Sequence, residues 1–148
     1  MLKVLIAEDD FMIADMVDDV LVAGGYEVCG IARTVAEAVA LDRLHKPDLA
    51  VIDMRLADGG RGPDIARQLG ERQLGDRRLG VLYASGNSSQ AVLTAQDGIA
   101  SITKPYRAED LLRALSLVTE ALATGRAAPP FPRGFRLLDP ALAELAPI

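Results

Sequence analysis

The chain has 148 residues, half of them hydrophobic, and its 16 basic and 21 acidic residues give a formal net charge of −5. This length suits one domain with a full core, and the acidic balance argues against nucleic acid as a direct partner. Cys29 is the only cysteine, which excludes an intramolecular disulfide and a thiolate metal cluster. The apolar segment near Met1 is too short for a signal peptide, and no stretch reaches the length of a membrane span. We therefore expect a cytoplasmic protein without a membrane partner.

Strand and helix patterns alternate along the first part of the chain. Short apolar runs that end in acidic residues predict strands, and apolar residues at helical spacing predict helices. The predicted elements are a strand over 4–7, a helix ending at Gly24-Gly25, a strand over 27–32, a helix from the capping residue Thr34 to about His45, and a buried strand over 49–53. The loop that follows, 54–63, is rich in glycine.

The alternation continues to the last helix. After the loop we predict a short helix around Ile65, a polar connection over 72–78, a strand over 81–84, a weak helix over 89–96, a strand over 100–103 and a well-patterned helix ended by Gly125. Five strand-helix units in this order predict an α/β protein. The expected fold is a doubly wound, five-stranded parallel sheet with right-handed crossovers and helices on both faces.

The composition changes after Gly125, so we place the domain at 1–125 and a C-terminal extension at 126–148. Five of the eight prolines lie between Pro129 and Pro147, which predicts an extended linker over 127–134. Beyond it, Asp139 as a helix cap and Pro140 at the first helical position predict one or two helical turns that include Leu142 and Leu145.

Polar residues stand at the C-terminal ends of four predicted strands. They are Glu8 and Asp9 after the first strand, Asp53 after the third, Ser85 after the fourth and Lys104 after the fifth. In an open α/β sheet these ends meet at one edge, where sites are built. Three carboxylates in one cleft repel each other unless a cation is present, and ligands that are all oxygen favour Mg²⁺.

This group of residues suits phosphoryl transfer. With Mg²⁺ bound, a carboxylate oxygen of Asp53 is a nucleophile for a phosphoryl group. The ammonium of Lys104 and the hydroxyl of Ser85 would each take one phosphoryl oxygen, and Mg²⁺ the remaining one.

The motifs together resemble the receiver domain of two-component response regulators, the chemotaxis-type flavodoxin-like fold, over about residues 3–123. The resemblance implies that Asp53 is the phosphoacceptor, that Ser85 and Lys104 assist it, and that the Lys104-Pro105 bond is cis. It also implies a magnesium site made by Glu8, Asp9, Asp53 and the backbone carbonyl of Arg55. The choice of Glu8 and Asp9 over Asp9 and Asp10 depends on where the first strand ends.

Two departures from the common receiver pattern concern the switch. Ser101 stands where most receivers carry an aromatic residue, three positions before the lysine. The segment Tyr83-Ala-Ser-Gly-Asn87 resembles the Phe-Ala-Thr-Gly signature of a subset of receivers, many of them stand-alone, that lack this aromatic residue.

The resemblance implies a signalling module rather than an enzyme. It would accept a phosphoryl group from a histidine kinase or a histidine phosphotransferase. It would then contact a downstream protein, or a second copy of itself, through the predicted helix over 89–96, the fifth strand and the last helix. A pseudo-receiver that binds partners constitutively remains the alternative. A haloacid dehalogenase-type phosphatase would need Asp-x-Asp after the first strand, and a nucleotide-binding module would need a glycine-rich loop there; Glu8-Asp9-Asp10 provides neither.

Overall fold

A six-stranded sheet organises the part of the chain that this computed structural model describes, residues 1–69, 78–86 and 93–143. In space the strands follow the order β2-β1-β3-β4-β5-β6. The first five are parallel, as predicted, and β6 adds antiparallel to β5, which the sequence patterns did not predict. Their bounds are β1 Lys3–Ala7, β2 Glu27–Ala32, β3 Leu49–Asp53, β4 Gly80–Ser85, β5 Ala100–Thr103 and β6 Phe135–Leu137.

Four α-helices are described, and side chains cap the first two, of which the cap at Thr34 was predicted and is confirmed. The carboxylate of Asp10 accepts hydrogen bonds from the N–H groups of Met12 and Ile13, and the hydroxyl of Thr34 accepts one from the N–H of Glu37. Such caps satisfy N–H groups that have no partner within the helix. The helices are α1 Phe11–Ala23, α2 Val35–His45, α3 Gly62–Gln68 and α4 Ala108–Thr124, with 3₁₀ turns at Ala57–Gly59 and Pro140–Leu142.

The helix predicted over 89–96 is wrong for its described part. Residues 87–92 lie outside the described ranges, as do 70–77 of the polar connection, and residues 93–96 form no helix. The N–H of Asp97 donates to the carbonyl of Thr94 at 2.9 Å, and the carboxylate of Asp97 accepts from the N–H of Thr94 at 2.7 Å. These local bonds close a turn and so compete with a helix.

Both faces of the sheet are covered, which explains the nearly continuous apolar runs in its central strands. Alternate side chains of β1 enter different hydrophobic clusters. Val4 and Ile6 pack with residues of α1 and α4, whereas Leu5 and Ala7 pack with residues of α2 and α3. The polar side chains of the candidate site lie at the ends of these strands, outside the apolar clusters. In the described ranges, no helix is both long and apolar enough to cross a bilayer.

The residues after α4 pack along the domain. The predicted linker 127–134 contains Ala127, which is fully buried and donates its N–H to the carbonyl of Leu142 at 2.8 Å. Leu137 and Leu138 are buried in the two different clusters, on opposite faces of the sheet. The helical turn predicted after Asp139 is confirmed as a 3₁₀ turn, and Leu145 lies outside the described residues. The division of the chain at Gly125 stays a prediction.

Candidate functional site

The predicted residues do converge at the C-terminal edge of the parallel strands. Glu8 directly follows β1, and its N–H donates to the carbonyl of Ala32 at 2.9 Å. Asp53 is the last residue of β3, and Ser85 is the last residue of β4. Lys104 directly follows β5 and donates its N–H to the carbonyl of Ser85 at 2.8 Å. Backbone pairing between neighbouring strands therefore fixes the backbone positions from which these side chains extend.

Lys104 links two of the carboxylates. Its Nζ lies 3.2 Å from Oε1 of Glu8 and 3.2 Å from Oδ1 of Asp53. The same Oδ1 accepts the N–H of Met54 at 2.8 Å, so Asp53 is held both by its own backbone and by Lys104. Burial opposes the charged form of Lys104, but the negative charges of Asp53 and Glu8 outweigh it and raise the pKa of Lys104. The Lys104-Pro105 bond is cis, as the resemblance implied.

Three carboxylates form a group that suits a divalent cation. Oxygen atoms of Glu8, Asp9 and Asp53 lie within 4.8 Å of one another. Asp10 instead caps α1, which supports the choice of Glu8 and Asp9 made from the sequence. A hard ion such as Mg²⁺ prefers a donor set made of oxygen alone, so the residues present fit it. The carbonyl of Arg55 as a further ligand stays a prediction.

Burial and the neighbouring Asp53 make Glu8 the carboxyl of this site that most strongly favours its neutral form. Burial, a hydrogen bond with Asp53 and the charge of Asp53 raise the pKa of Glu8 from 4.5 to about 7, although Lys104 lowers it. Below pH 7 the metal-free protein therefore holds a proton on Glu8. Because this carboxyl prefers its neutral form when folded, it stabilises the metal-free fold at low pH, and that contribution is lost as the pH rises through about 7.

Magnesium binding should consequently depend on pH. Mg²⁺ must displace the proton from Glu8, so its affinity should fall by up to about tenfold per pH unit below 7 and level off above 7. Calorimetric titration with Mg²⁺ between pH 5.5 and 8.5 measures this dependence. In a Glu8→Gln variant the affinity should be weaker and nearly constant between pH 6 and 8. An equally steep dependence in that variant would assign the proton to another group.

Ser85 carries a hydroxyl without a partner. The residue is 1% exposed, and within the described residues its Oγ finds no hydrogen-bond partner. A buried hydroxyl that makes no hydrogen bond costs about 1–3 kcal/mol, so such groups need an explanation. An acceptor that arrives from outside, such as a phosphoryl oxygen, would satisfy it.

The aromatic residue of this region lies on β4 instead of β5. Ser101 is fully buried, and its register partner on β4 is Tyr83. The ring of Tyr83 is also fully buried, and its hydroxyl donates to the carbonyl of Asp97 at 2.7 Å. Burial raises the pKa of Tyr83, so the phenol stays protonated. Asn87, which belongs to the same sequence motif, lies outside the described residues.

Gly62 supports the site in a way that the sequence did not reveal. A Cβ atom on Gly62 would lie 2.5 Å from the backbone oxygen of Asp53, 2.9 Å from Ile52 Cγ2 and 3.2 Å from Tyr83 Cε1. Only glycine therefore lets α3 begin this close to the end of β3. In the sequence, the cluster of glycines in the loop 54–63 indicated tight packing there, but it did not show which glycine the packing requires.

A Gly62→Ala variant should lose about 1–3 kcal/mol of unfolding free energy, because the backbone oxygen of Asp53 cannot move away from the added methyl group. Denaturant unfolding monitored by circular dichroism measures the loss. Gly86→Ala is the matched control, since within the described ranges a Cβ on Gly86 meets nothing within 4 Å. Equal stability of the two variants would contradict the proposed close packing.

Comparisons with known proteins agree with this geometry. The family model described as "Response regulator receiver domain" matches residues 4–116. The transcriptional regulatory protein PdtaR of Mycobacterium tuberculosis is 32% identical over 117 residues, which cover 78% of this chain and 55% of PdtaR. The chemotaxis protein CheY of Bacillus subtilis is 29% identical over 117 residues, covering 77% of this chain and 94% of CheY. Like PdtaR, the acid tolerance regulatory protein ActR of Rhizobium meliloti is matched over only about half its length, 57%.

Solved structures show the same architecture. The CheY-like receiver domain protein of Methanospirillum hungatei superposes with a TM-score of 0.71 at 27% identity, covering 83% of this chain and 98% of that protein. The anti-anti-sigma factor PhyR of Bartonella quintana gives a TM-score of 0.68 at 25% identity, covering 84% of this chain and 49% of PhyR. The sequence match over residues 4–116, the sheet order and the fold comparisons agree: the chain belongs to the response regulator receiver domain family.

Proposed function

We propose that this receiver is switched by phosphorylation of Asp53 and signals by contact with other proteins. The observation that carries the proposal is the position of Lys104, whose Nζ lies 3.2 Å from both Asp53 and Glu8. The buried, unpartnered hydroxyl of Ser85 supports it from the neighbouring strand. A purely structural strand end would gain nothing from three carboxylates and an ammonium group crowded together.

The chain's own residues would perform the transfer as follows. A carboxylate oxygen of Asp53 attacks the phosphorus of a phosphohistidine, the P–N bond breaks, and its electron pair remains on the imidazole nitrogen of the donor. The ammonium of Lys104 leaves its carboxylate partners for a phosphoryl oxygen, and the hydroxyl of Ser85 donates to another. Mg²⁺ held by Glu8, Asp9 and Asp53, with the carbonyl of Arg55, would neutralise charge on the phosphoryl group. The protein promotes only its own phosphorylation and dephosphorylation.

The surface beside Lys104 suits a protein donor. An open depression of about 390 Å³ is lined by Ile13, Met16, Lys104, Pro105 and Tyr106. Beside it, the first turns of α1 carry apolar side chains that water reaches, those of Phe11, Met12 and Met16. Exposed apolar groups around a polar site favour a protein partner over a small metabolite. A histidine kinase or a histidine phosphotransferase is the partner that this chemistry fits, and a cytoplasmic location stays a prediction.

One observation favours the pseudo-receiver as the second candidate. Ser101 stands where most receivers carry the aromatic residue whose ring turns when the site is phosphorylated. The ring of Tyr83, its register partner, is held by a hydrogen bond to the carbonyl of Asp97. A sheet without a rotating ring could serve as a constant binding surface. The intact acidic group and Lys104 favour the switched receiver.

Intact-mass spectrometry separates the two candidates. The purified protein is incubated with a small acyl phosphate, with Mg²⁺ or with a chelator. The switched receiver should gain one phosphoryl group only when Mg²⁺ is present. A phosphoaspartate that hydrolyses quickly would escape this measurement, so binding of beryllofluoride, a phosphoryl mimic, is measured as well by native mass spectrometry. Absence of both the covalent adduct and beryllofluoride binding would favour the pseudo-receiver.

A further inference from the structure

The outer edge of β5 is occupied by the chain's own C-terminal segment, residues 126–143, here called the tail. The strand β6 of the tail pairs antiparallel with β5, with Ala100 opposite Leu137, Ser101 opposite Arg136 and Ile102 opposite Phe135. The N–H of Leu138 donates to the carbonyl of Ile99 at 2.9 Å. The hydrogen-bonding edge of β5 is thus filled from end to end.

The tail is also fastened to the side of α4. The guanidinium of Arg113 donates from Nη2 to the carbonyl of Ala128 at 3.1 Å and from Nε to the carbonyl of Pro130 at 3.2 Å. The carboxylate of Glu120 accepts the N–H of Ala128 at 3.3 Å. The resemblance implies that the fifth strand and the last helix, with the segment 89–96, contact the downstream protein. In this structure the tail pairs with β5 and bonds to one side of α4, and so occupies part of that surface.

One residue connects the tail to the site. Thr103 donates its N–H to the carbonyl of Gly134 at 3.1 Å, and its hydroxyl lies 3.3 Å from the same oxygen. On its other side, Thr103 is the register partner of Ser85 in β4. Thr103 also directly precedes Lys104. A single residue therefore lies between the tail and two of the groups that would hold a phosphoryl oxygen.

A phosphoryl group on Asp53 would change both neighbours of Thr103. The Nζ of Lys104 would have to leave its present position 3.2 Å from Asp53 and Glu8, and the unpartnered hydroxyl of Ser85 would gain an acceptor. The contact between Thr103 and Gly134 is tight, because a Cβ on Gly134 would lie only 3.1 Å from Thr103 Cβ. Closely packed contacts of this kind do not adapt gradually to a shift of one partner.

The tail is also suited to release. Its docking buries Ala127, Leu137 and Leu138, but it must also order the backbone of 18 residues, and the conformational entropy lost in that ordering opposes docking. We infer that the tail is a built-in ligand of the β5 edge, and that a phosphoryl group on Asp53 weakens its docking and uncovers the signalling surface. This inference rests on the proposed function of Asp53.

Amide hydrogen exchange of the full chain tests the inference, with Mg²⁺ and with or without beryllofluoride. The N–H groups of Thr103, Ala128 and Leu138 report on docking, since each donates to an oxygen atom across the contact between the tail and the domain. We expect their exchange to become about fivefold faster or more when beryllofluoride binds, while the amides of β1 stay unchanged. Bound beryllofluoride with unchanged tail amides would overturn the inference and leave the proposed function intact. If beryllofluoride does not bind but an acyl phosphate gives the covalent adduct, the phosphorylated protein replaces the beryllofluoride complex in the same exchange measurement. Absence of both beryllofluoride binding and the adduct would overturn the inference together with the proposed function.

A Gly134→Ala variant tests the same coupling in the opposite direction. Gly134 has φ +80°, so alanine there is strained, and its Cβ would also press on Thr103; both effects loosen the tail. Because coupling between two sites is reciprocal, beryllofluoride should bind this variant more tightly than the wild type, by about fivefold or more. Gly25→Ala is the matched control, since Gly25 follows α1 with φ +92° and no described residue lies within 4 Å of a Cβ built there. The beryllofluoride affinity of this control should stay at the wild-type value. Unchanged or weaker binding to the Gly134 variant would refute the coupling.

Discussion

Replacement of Asp53 by Asn should abolish uptake of the phosphoryl group from an acyl phosphate. The amide has nearly the shape of the carboxylate, and its oxygen can still accept the N–H of Met54. It has no negative charge, however, and is too weak a nucleophile to attack phosphorus. The intact mass of Asp53→Asn should therefore remain that of the unmodified chain under conditions in which the wild type gains one phosphoryl group.

Asp58→Asn is the control for this experiment, because Asp58 lies in the loop that follows Asp53 and has a left-handed backbone, φ 60°, that asparagine tolerates. This control should be phosphorylated like the wild type. Equal labelling of the Asp53 variant would place the acceptor on another residue and remove the basis of the proposed function. Normal thermal unfolding of the Asp53 variant would show that a lost adduct is not a lost fold.

Replacement of Lys104 by Met should slow phosphorylation by about 100-fold or more, because an ammonium group aimed at the transferred oxygens is worth several kcal/mol in such a site. The affinity for Mg²⁺, by contrast, should not fall. Lys104 now competes for Glu8 and Asp53, and without it the carboxylates should hold Mg²⁺ at least as tightly as in the wild type. A variant that binds Mg²⁺ well but accepts phosphoryl groups slowly would show that Lys104 acts on the transferred group.

The time course of the mass adduct and a calorimetric Mg²⁺ titration measure these two effects. Lys3→Met is the control, since Lys3 is exposed at the opposite end of β1. A rate for the Lys104 variant within about twofold of wild type would assign Lys104 a structural role only. Parallel losses of Mg²⁺ affinity and rate would point to a collapsed site.

The sequence predicted which side chains meet at the edge of the sheet, because strand ends are local features. Asp53 ends a continuous apolar run, and Lys104 precedes a proline, so each position could be found without knowing the rest of the fold. Parallel pairing then brings such ends together at one edge of the sheet. The cap at Asp10 was equally local, and it helped to separate the carboxylate pair of the site from its neighbour.

The features that were missed depend on contacts between distant parts of the chain. Strand β6 has three residues, and its last residue, Leu137, and the following Leu138 are buried on opposite faces of the sheet, so no one-sided periodic pattern predicts it. The need for glycine at position 62 depends on the backbone of Asp53 and the ring of Tyr83. The helix predicted up to residue 96 failed because the side chain of Asp97 pairs with Thr94. Pattern analysis does not detect any of these contacts.

The short β6 strand also has a consequence for self-association. A bare β5 would offer its unpaired N–H and C=O groups to any other extended chain, which is how sheets join edge to edge into aggregates. With the tail docked, the sheet instead ends in three residues that lie between Pro132 and Pro140, and proline cannot donate a hydrogen bond to a further strand. The docked tail therefore keeps the β5 edge from pairing with another chain. If phosphorylation releases the tail as we infer, that edge would be open to such pairing for as long as the phosphoryl group remained.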